Sequence, residues 1–270
     1  MLKGLLRGAL AVAAMALLVP TSGEARTLDE IIKAGTIKIA VHPNLEPLSF
    51  KNPAGDWQGF DVDLGNRIAE LMGIKAEFVA TETPNRVPNI ISGIVDISMS
   101  GLTRTVDRMK VIDYTFPIHT ESMAALTTEK FKAVTKIMDF NNEKFTMVGC
   151  RGCTPAKWTE DNLPKAKLIL VEGAAEIVRT VAQGRADAVV ANLDYYPVLM
   201  RNYPDVKWVI LPEVVRTAYC GIGLTKGNDA LRTVLNAALY QIQTNDEHNK
   251  IWQKHFNMRP ITEVKAQPYW

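Results

Sequence analysis

The chain alternates short β-rich runs with runs of helical periodicity, and this alternation restricts its fold more than any other feature. The predicted strands are residues 36–41, 76–80, 94–99, 144–149, 167–171 and 188–191. The predicted helices before and between them are residues 28–34, 62–72, 87–92, 154–162 and 174–183. Strands that alternate with helices predict an α/β fold with a mostly parallel sheet.

The pattern falls into two units of similar size, and a third segment follows them at the C-terminus. That segment is a strand-like run at residues 218–224, followed by one long predicted helix that ends near Phe256. Two α/β units with a returning segment predict two lobes joined by crossing strands. Because ligands of open α/β sheets bind outside the carboxyl ends of the strands, we predict a site in a cleft that closes by a hinge.

Residues 1–25 have the composition of a secretory signal peptide. Lys3 and Arg7 precede an apolar run over residues 9–19, and small residues follow up to Ala25. This run is shorter than the ~20 residues that a membrane-spanning helix needs. We predict that the segment is cleaved and that the mature protein works outside the cytoplasm. An uncleaved anchor is the alternative.

The charge balance argues against a nucleic-acid partner. The chain has 31 Lys and Arg against 29 Asp and Glu, a net charge of +2, and no basic run stands out. Nucleic-acid-binding domains instead carry a clustered basic surface. The four histidines do not show the spacing of metal ligands. We predict no metal site, no cofactor and no nucleic-acid partner.

The three cysteines allow several interpretations. Cys150 and Cys153 form a C-x-x-C pair, and Cys220 stands apart. In an oxidising compartment the pair could form a structural disulfide that closes a small loop. Two free thiols, or a redox pair at a helix start, are the alternatives.

Seven motifs follow one another in a fixed order along the chain. They are segments 59–73, 93–97, 100–108, 112–115, 152–154, 184–188 and 221–227. Together they resemble the extracellular solute-binding proteins of family 3, which serve polar amino-acid ABC transporters. Each motif alone is weakly specific, but their order and spacing cover essentially the whole chain after the predicted signal peptide.

The resemblance implies a periplasmic-binding-protein type II fold with two α/β lobes. It assigns residues 26–121 and 219–270 to lobe 1 and residues 122–218 to lobe 2, with crossing strands near 119–123 and 214–221. It also implies a periplasmic monomer that carries a small polar amino acid or related carboxylate to an inner-membrane ABC permease. No catalysis is expected from this resemblance.

The same resemblance assigns Arg108 to the ligand's α-carboxylate. A guanidinium suits this role because its planar fork pairs with a carboxylate and stays charged. The preceding segment contributes Ser100, Gly101 and Thr103, and Cys153 and Thr154 open a helix on the other lobe. A helix N-terminus favours an anion. A solvated surface arginine is the alternative for Arg108.

A second group resembles the pattern of acidic amino-acid binders. The resemblance implies that His42, Thr83 and Arg86 form a second anion subsite beside Arg108. Two guanidiniums in one cleft repel each other, and a ligand with two negative charges relieves that repulsion. The structural alternatives are that Arg86 brackets a helix and that His42 is a hydrogen-bonded core histidine.

Two features depart from the family pattern. Where the family places an aspartate for the ligand's ammonium group, this chain has Asn192, with Asp194 two residues later. Residues two apart on an extended segment share a face, so Asp194 is a candidate substitute. A ligand without a fully charged amine is the alternative. Aromatic residues that often sandwich the ligand are also missing, with Leu45 and Thr83 in their places. These departures favour a short, polar, anionic ligand.

Two competing functions remain. Periplasmic cyclohexadienyl dehydratases resemble these binders and need a carboxylic acid in the cleft as general acid. The matching position here is about Tyr195, which argues against dehydration of prephenate or arogenate. A sensory module that reports ligand occupancy to a separate signalling partner is the other alternative.

Overall fold

The computed structural model describes residues 25–266 and 268, so the predicted signal peptide lies outside the described residues except for Ala25. The α-helices are α1 (Leu28–Ala34), α2 (Phe60–Leu71), α3 (Arg86–Ile91), α4 (Val106–Met109), α5 (Thr154–Asn162), α6 (Ala174–Ala182), α7 (Tyr196–Met200), α8 (Asp229–Thr244) and α9 (Glu247–Phe256). None of the described helices is long and apolar enough to cross a membrane.

Most strands join one large mixed sheet. The strands are β1 (Thr36–Val41), β2 (Asn44–Leu45), β3 (Ser49–Lys51), β4 (Trp57–Gln58), β5 (Lys75–Ala80), β6 (Ile97–Ser98), β7 (Ile112–Thr128), β8 (Thr146–Cys150), β9 (Lys167–Val171), β10 (Ala188–Asn192), β11 (Trp208–Ile210) and β12 (Arg216–Thr225). The order in the sheet is β5-β1-β6-β12-β7-β10-β8-β9, and β11 pairs with β7. Strands β2, β3 and β4 form a separate small sheet.

Two long strands connect the halves of the large sheet. β7 and β12 run antiparallel and are paired from Ile112, opposite Thr225, to Met123, opposite Arg216. On one side of this ribbon lie the parallel strands β5, β1 and β6, and on the other lie β10, β8 and β9. We call the first side lobe 1 and the second lobe 2. The ribbon runs through both predicted crossings, and the proposed boundaries after residues 121 and 218 fall inside its strands.

Three predicted elements differ from the structure. The strand predicted at 94–99 is paired only at Ile97–Ser98, because the preceding residues belong to the turn after α3. The single long C-terminal helix is divided into α8 and α9. The break follows from Asp246, whose φ of 59° is left-handed and incompatible with a continuous helix. The strand β7 is also much longer than the predicted crossing.

The largest apolar core contains residues of both lobes. Phe60 and Trp252 of lobe 1 lie in the same buried cluster as Val148 and Ile177 of lobe 2. A smaller cluster fills the remainder of lobe 2, and another lies beneath α3 in lobe 1. The continuous core holds the two lobes together at the end where the ribbon crosses, so the cleft between them has a fixed base.

Candidate functional site

A cavity lies between the lobes, beside the ribbon. It has a volume of about 60 Å³, far below the roughly 300–1,000 Å³ typical of small-molecule sites. The predicted site residues that line it are Thr83, Arg86, Ser100, Gly101, Thr103, Arg108, Cys153, Thr154 and Asn192. A ligand of amino-acid size therefore has to enter while the lobes are further apart.

The loop after β6 is held in an unusual conformation. Ser100 and Gly101 both have a φ of 66°, in the left-handed region. The Ser100 amide donates to Asp61 Oδ2 at 2.9 Å, and the Ser100 hydroxyl accepts from the His42 amide at 2.9 Å. Ser49 donates its own proton to the His42 carbonyl, so the 2.6 Å contact between the two hydroxyls is donated by Ser100. The Ser100 hydroxyl therefore stabilises the loop.

Arg108 bridges the two lobes. Its Nη1 donates to the Thr103 carbonyl of lobe 1 at 3.0 Å, and its Nη2 donates to the Gly152 carbonyl of lobe 2 at 3.3 Å. A guanidinium has five N–H groups, so three stay available after these two bonds. Arg108 is half-buried, and it lines both the cavity and the wider outer groove between α4 and α5.

Arg86 is a buried cation on the other side of the same loop. Its side chain is 3% exposed and donates to the Ser100 carbonyl and, at 3.5 Å, to the Thr83 carbonyl. No carboxylate of the described residues pairs with it at salt-bridge distance. Burial, followed by the positive charge of Arg108, lowers the pKa of Arg86 to about 10. Both features favour an anion in the cavity.

The lobe 2 wall of the cavity is a small disulfide-closed loop. Cys150 ends β8, Cys153 is the N-cap of α5, and the structure joins the two by a disulfide. Between them, Gly152 has a φ of 73° and presents its carbonyl to Arg108. Thr154 begins α5, so its amide, which has no partner within the helix, lies at the cavity wall, and the next residue, Pro155, has no N–H.

The two candidates for the ligand's ammonium group have different surroundings. Asn192 lines the cavity, but its side-chain oxygen accepts from the Asp194 amide at 3.2 Å, and its Nδ2 is buried without a partner. Asp194 does not line the cavity. Its Oδ1 accepts from the Ile261 amide at 3.1 Å, and burial raises its pKa to about 6. β10 ends at Asn192, so the two side chains do not share a face.

His42 also lies outside the cavity lining. It is 1% exposed, its Nδ1 accepts from the Asn44 amide at 3.0 Å, and its Nε2 lies 2.8 Å from Glu82 Oε2. Burial, followed by the charge of Arg86, lowers the pKa of His42 to about 4. The ring is therefore neutral at pH 7, and it supports the Ser100 loop through its backbone amide.

Two polar cavity residues were absent from the predicted site. Glu121 of β7 and Tyr195, just before α7, both line the cavity, and the Tyr195 hydroxyl donates to Glu121 Oε1 at 3.2 Å. The carboxylate in the cavity is therefore Glu121 and not Asp194. A clue was present, because Glu121 is the one acidic residue between Tyr114 and Thr128 and lies within the predicted crossing at 119–123.

The sequence profile of the bacterial extracellular solute-binding proteins, family 3, matches residues 37–258, which is most of the chain. The chain belongs to this family. The match includes both lobes and the ribbon between them, so it extends over every cavity residue described above.

Three proteins illustrate the similarity of this family 3 protein to known ones. A cyclohexadienyl dehydratase of Pseudomonas aeruginosa is 26% identical over 73% of this chain and 74% of its own. A probable histidine-binding protein of Neisseria gonorrhoeae is 29% identical over 81% of this chain and 82% of its own. The crystal structure of the ancestral amino acid-binding protein AncCDT-1, a precursor of cyclohexadienyl dehydratase, superposes with a TM-score of 0.78.

AncCDT-1 is 31% identical to the family 3 protein, and the similarity covers 84% of this chain and 98% of that one. The predicted two-lobe α/β fold is thereby confirmed. Among residues 25–266 and 268 the structure contains no group of three or more His, Cys, Asp and Glu side chains that could hold a metal.

Proposed function

We propose that this family 3 protein binds a small acidic amino acid and delivers it to an ABC permease. The observation that carries the proposal is the pair of guanidiniums at the cavity, because Arg86 is buried without an ion-pair partner among the described residues. An isolated buried charge is costly, and a ligand carboxylate relieves that cost. Arg108 takes the α-carboxylate, and Arg86 takes the side-chain carboxylate.

The relatives support the class of ligand. The Neisseria protein and the ancestral structure are named for histidine and for amino acids, respectively. The acidic side chain is our inference from Arg86. The family's extracellular location supports a periplasmic protein. We also propose that residues 1–25 are removed on export and that the protein works as a monomer, releasing its ligand to an inner-membrane permease.

The first experiment removes each guanidinium separately. In calorimetric titrations, Arg108→Ala should weaken every amino acid by about 2–5 kcal/mol, because the α-carboxylate stays buried and unpaired. Arg86→Ala should weaken L-glutamate and L-aspartate by at least about tenfold more than L-glutamine and L-asparagine. Arg185→Ala is the matched control, because it removes one exposed positive charge away from the cavity. Equal losses for acids and amides in Arg86→Ala would contradict the assignment.

A cyclohexadienyl dehydratase is the second candidate function. Two observations favour it: the Pseudomonas relative carries that name, and Glu121 places a carboxylic acid in the cavity. Turnover assays with prephenate and arogenate test it directly. We expect no product above the rate without protein. Turnover that is lost in Glu121→Gln would establish the enzyme.

A further inference from the structure

The Glu121 carboxylate is a buried charge that the two arginine subsites do not use. Glu121 is 6% exposed and lines the cavity. Oε2 accepts from the Thr103 hydroxyl at 3.0 Å, and Oε1 accepts from the Tyr195 hydroxyl at 3.2 Å. No cation of the described residues lies at salt-bridge distance from it. These two hydrogen bonds come from neutral donors, and Arg86 acts on Glu121 from beyond salt-bridge distance.

The site is built closely around this carboxylate. A methyl group added to Gly101 would lie 3.1 Å from Glu121 Oε1 and 3.4 Å from the Tyr195 hydroxyl. The glycine thus allows the Ser100 loop to run directly beside the acid. An ionised carboxylate has about four acceptor positions, and two hydroxyl donors leave some of them for a ligand.

We propose that Glu121 pairs with the ammonium group of the ligand. This proposal rests on the proposed function, and it adds the residue that binds the amine of the ligand. Among the described residues that line the cavity, Glu121 is the only carboxylate. Asp194, the acid expected for this role, instead accepts from the Ile261 amide. The side chain of Asn192 has a buried donor nitrogen without a partner, which suits a ligand oxygen rather than an ammonium group.

The charges of the cavity then select a ligand class. Arg86 and Arg108 contribute two positive charges and Glu121 contributes one negative charge, so the empty site has a net charge of about +1. An amino dicarboxylic acid carries two carboxylates and one ammonium group, and it neutralises the site. A dicarboxylate without an amine leaves Glu121 unpaired, whereas a neutral amino acid leaves one guanidinium unpaired.

The test compares ligands that differ only in the amine. Wild type, Glu121→Gln and Glu143→Gln are titrated calorimetrically with L-aspartate against succinate and with L-glutamate against glutarate. Wild type should prefer the amino acids by at least about tenfold. Glu121→Gln should lose this preference through weaker amino-acid binding, with the amine-free ligands bound as before or more tightly. Glu143→Gln is the matched control, because it removes one exposed negative charge away from the cavity, and it should keep the preference.

Two results would overturn the proposal. The first is wild-type protein that binds succinate as tightly as L-aspartate, or glutarate as tightly as L-glutamate. This comparison does not depend on the folding of any variant. The second is a Glu121→Gln protein, shown to be folded by thermal unfolding, that keeps the wild-type preference. Wild-type protein that binds L-glutamine but no dicarboxylic ligand would refute the proposal of an acidic ligand instead. The role of Glu121 is then tested by comparing the affinities for L-glutamine and for its analogue without the amine.

Discussion

At the scale of single residues, the site depends on buried side chains that hold backbone groups in place. Asp61 is fully buried, and its Oδ2 accepts from the amide of Ser100, whose left-handed conformation sets the course of the loop. Left-handed backbone costs on the order of 1–3 kcal/mol for a residue other than glycine. The hydrogen bond that Ser100 donates to Asp61 offsets part of this cost, so the aspartate acts on the cavity through the loop.

Asp61 should make the stability of the protein depend on pH. Burial raises its pKa from the ordinary 3.8 to about 8, opposed by the Ser100 amide and by Arg86. The folded protein therefore holds a proton that the unfolded chain has released, so this contribution is complete below about pH 4 and is lost as the pH rises through 8. Asp61→Asn, which keeps an acceptor oxygen for Ser100, should remove this dependence.

Urea unfolding of wild type and Asp61→Asn between pH 4 and 9 measures the effect. The free energy of unfolding of the variant relative to wild type should rise with pH by a few kcal/mol in order of magnitude. Other groups that titrate in this range, such as Asp194, are common to both proteins and cancel in the difference. Two curves that run parallel across this range would show that Asp61 does not titrate there.

At the residue level, the sequence placed together what one short segment carries. Ser100, Gly101, Thr103 and Arg108 belong to the segment from the loop after β6 to α4, and the structure brings all of them to the cavity, where their contact with a ligand stays a prediction. Glu121 was missed because its place depends on how a long strand passes the cleft. Asp194 was expected in the cavity because an extended segment alternates its faces, but β10 ends at Asn192 and the chain turns there.

At the scale of elements, the loop between β8 and α5 links the cavity to the closing of the lobes. The disulfide of Cys150 and Cys153 limits the freedom of Gly152, whose carbonyl accepts from Arg108. A Cβ at Gly152 would lie 3.5 Å from Thr83 and Pro84, so the loop also packs against lobe 1. The same loop positions the first turn of α5 at the cavity.

Removal of this disulfide should affect binding more than folding. A loop this short contributes only about 2 kcal/mol to stability in the chain-entropy description. Cys150→Ser/Cys153→Ser should lower the affinity for the proposed ligand by roughly tenfold, because the Gly152 carbonyl and the α5 amides are less ordered before binding. Calorimetry measures this loss. A phosphine reductant should weaken wild type similarly and leave the double variant unchanged, whereas an unaltered affinity in the variant would contradict the role of the loop.

The elements themselves were predictable to the extent that local patterns determine them. The helices and strands of both lobes follow the apolar periodicity, because each packs one face on the sheet. The division between α8 and α9 did not follow from that pattern, since the apolar stripe continues across it and the break depends on the left-handed Asp246. The length of β7 reflects its pairing with β12, β10 and β11, which are distant in sequence.

At the scale of the whole molecule, the two lobes share a core at one side and face each other across the cavity at the other. Arg108 joins the Thr103 carbonyl of lobe 1 to the Gly152 carbonyl of lobe 2. The C-terminal segment adds another link, because the Ile261 amide donates to Asp194. In this closed arrangement of the lobes, the Arg108 guanidinium lies between these two carbonyls, and Arg86 is buried beside it.

Ligand binding should make the protein more compact. Arg86 and Arg108 both belong to lobe 1, and Thr154 at the start of α5 faces them from lobe 2. A carboxylate bound to the guanidiniums of lobe 1 therefore gains the Thr154 amide of lobe 2 only when the lobes close. Small-angle scattering should show a smaller radius of gyration at saturating ligand for wild type but not for Arg108→Ala. A ligand at 100 times its Kd should also raise the free energy of unfolding by about 2.7 kcal/mol. An unchanged radius, with binding established by calorimetry, would contradict a hinge mechanism.

The paired strands β7 and β12 have a wider consequence. Their register shifts at Gly221, and the outward side chain of Tyr219 is 48% exposed. We expect the stiffness of this ribbon to set the free-energy difference between the open and closed conformations. The observed affinity for a ligand scales with the fraction of molecules in the conformation that binds it. Evolution can therefore adjust the strength of solute capture through positions such as Tyr219 on the outside of the hinge, while the chemistry of recognition stays the same.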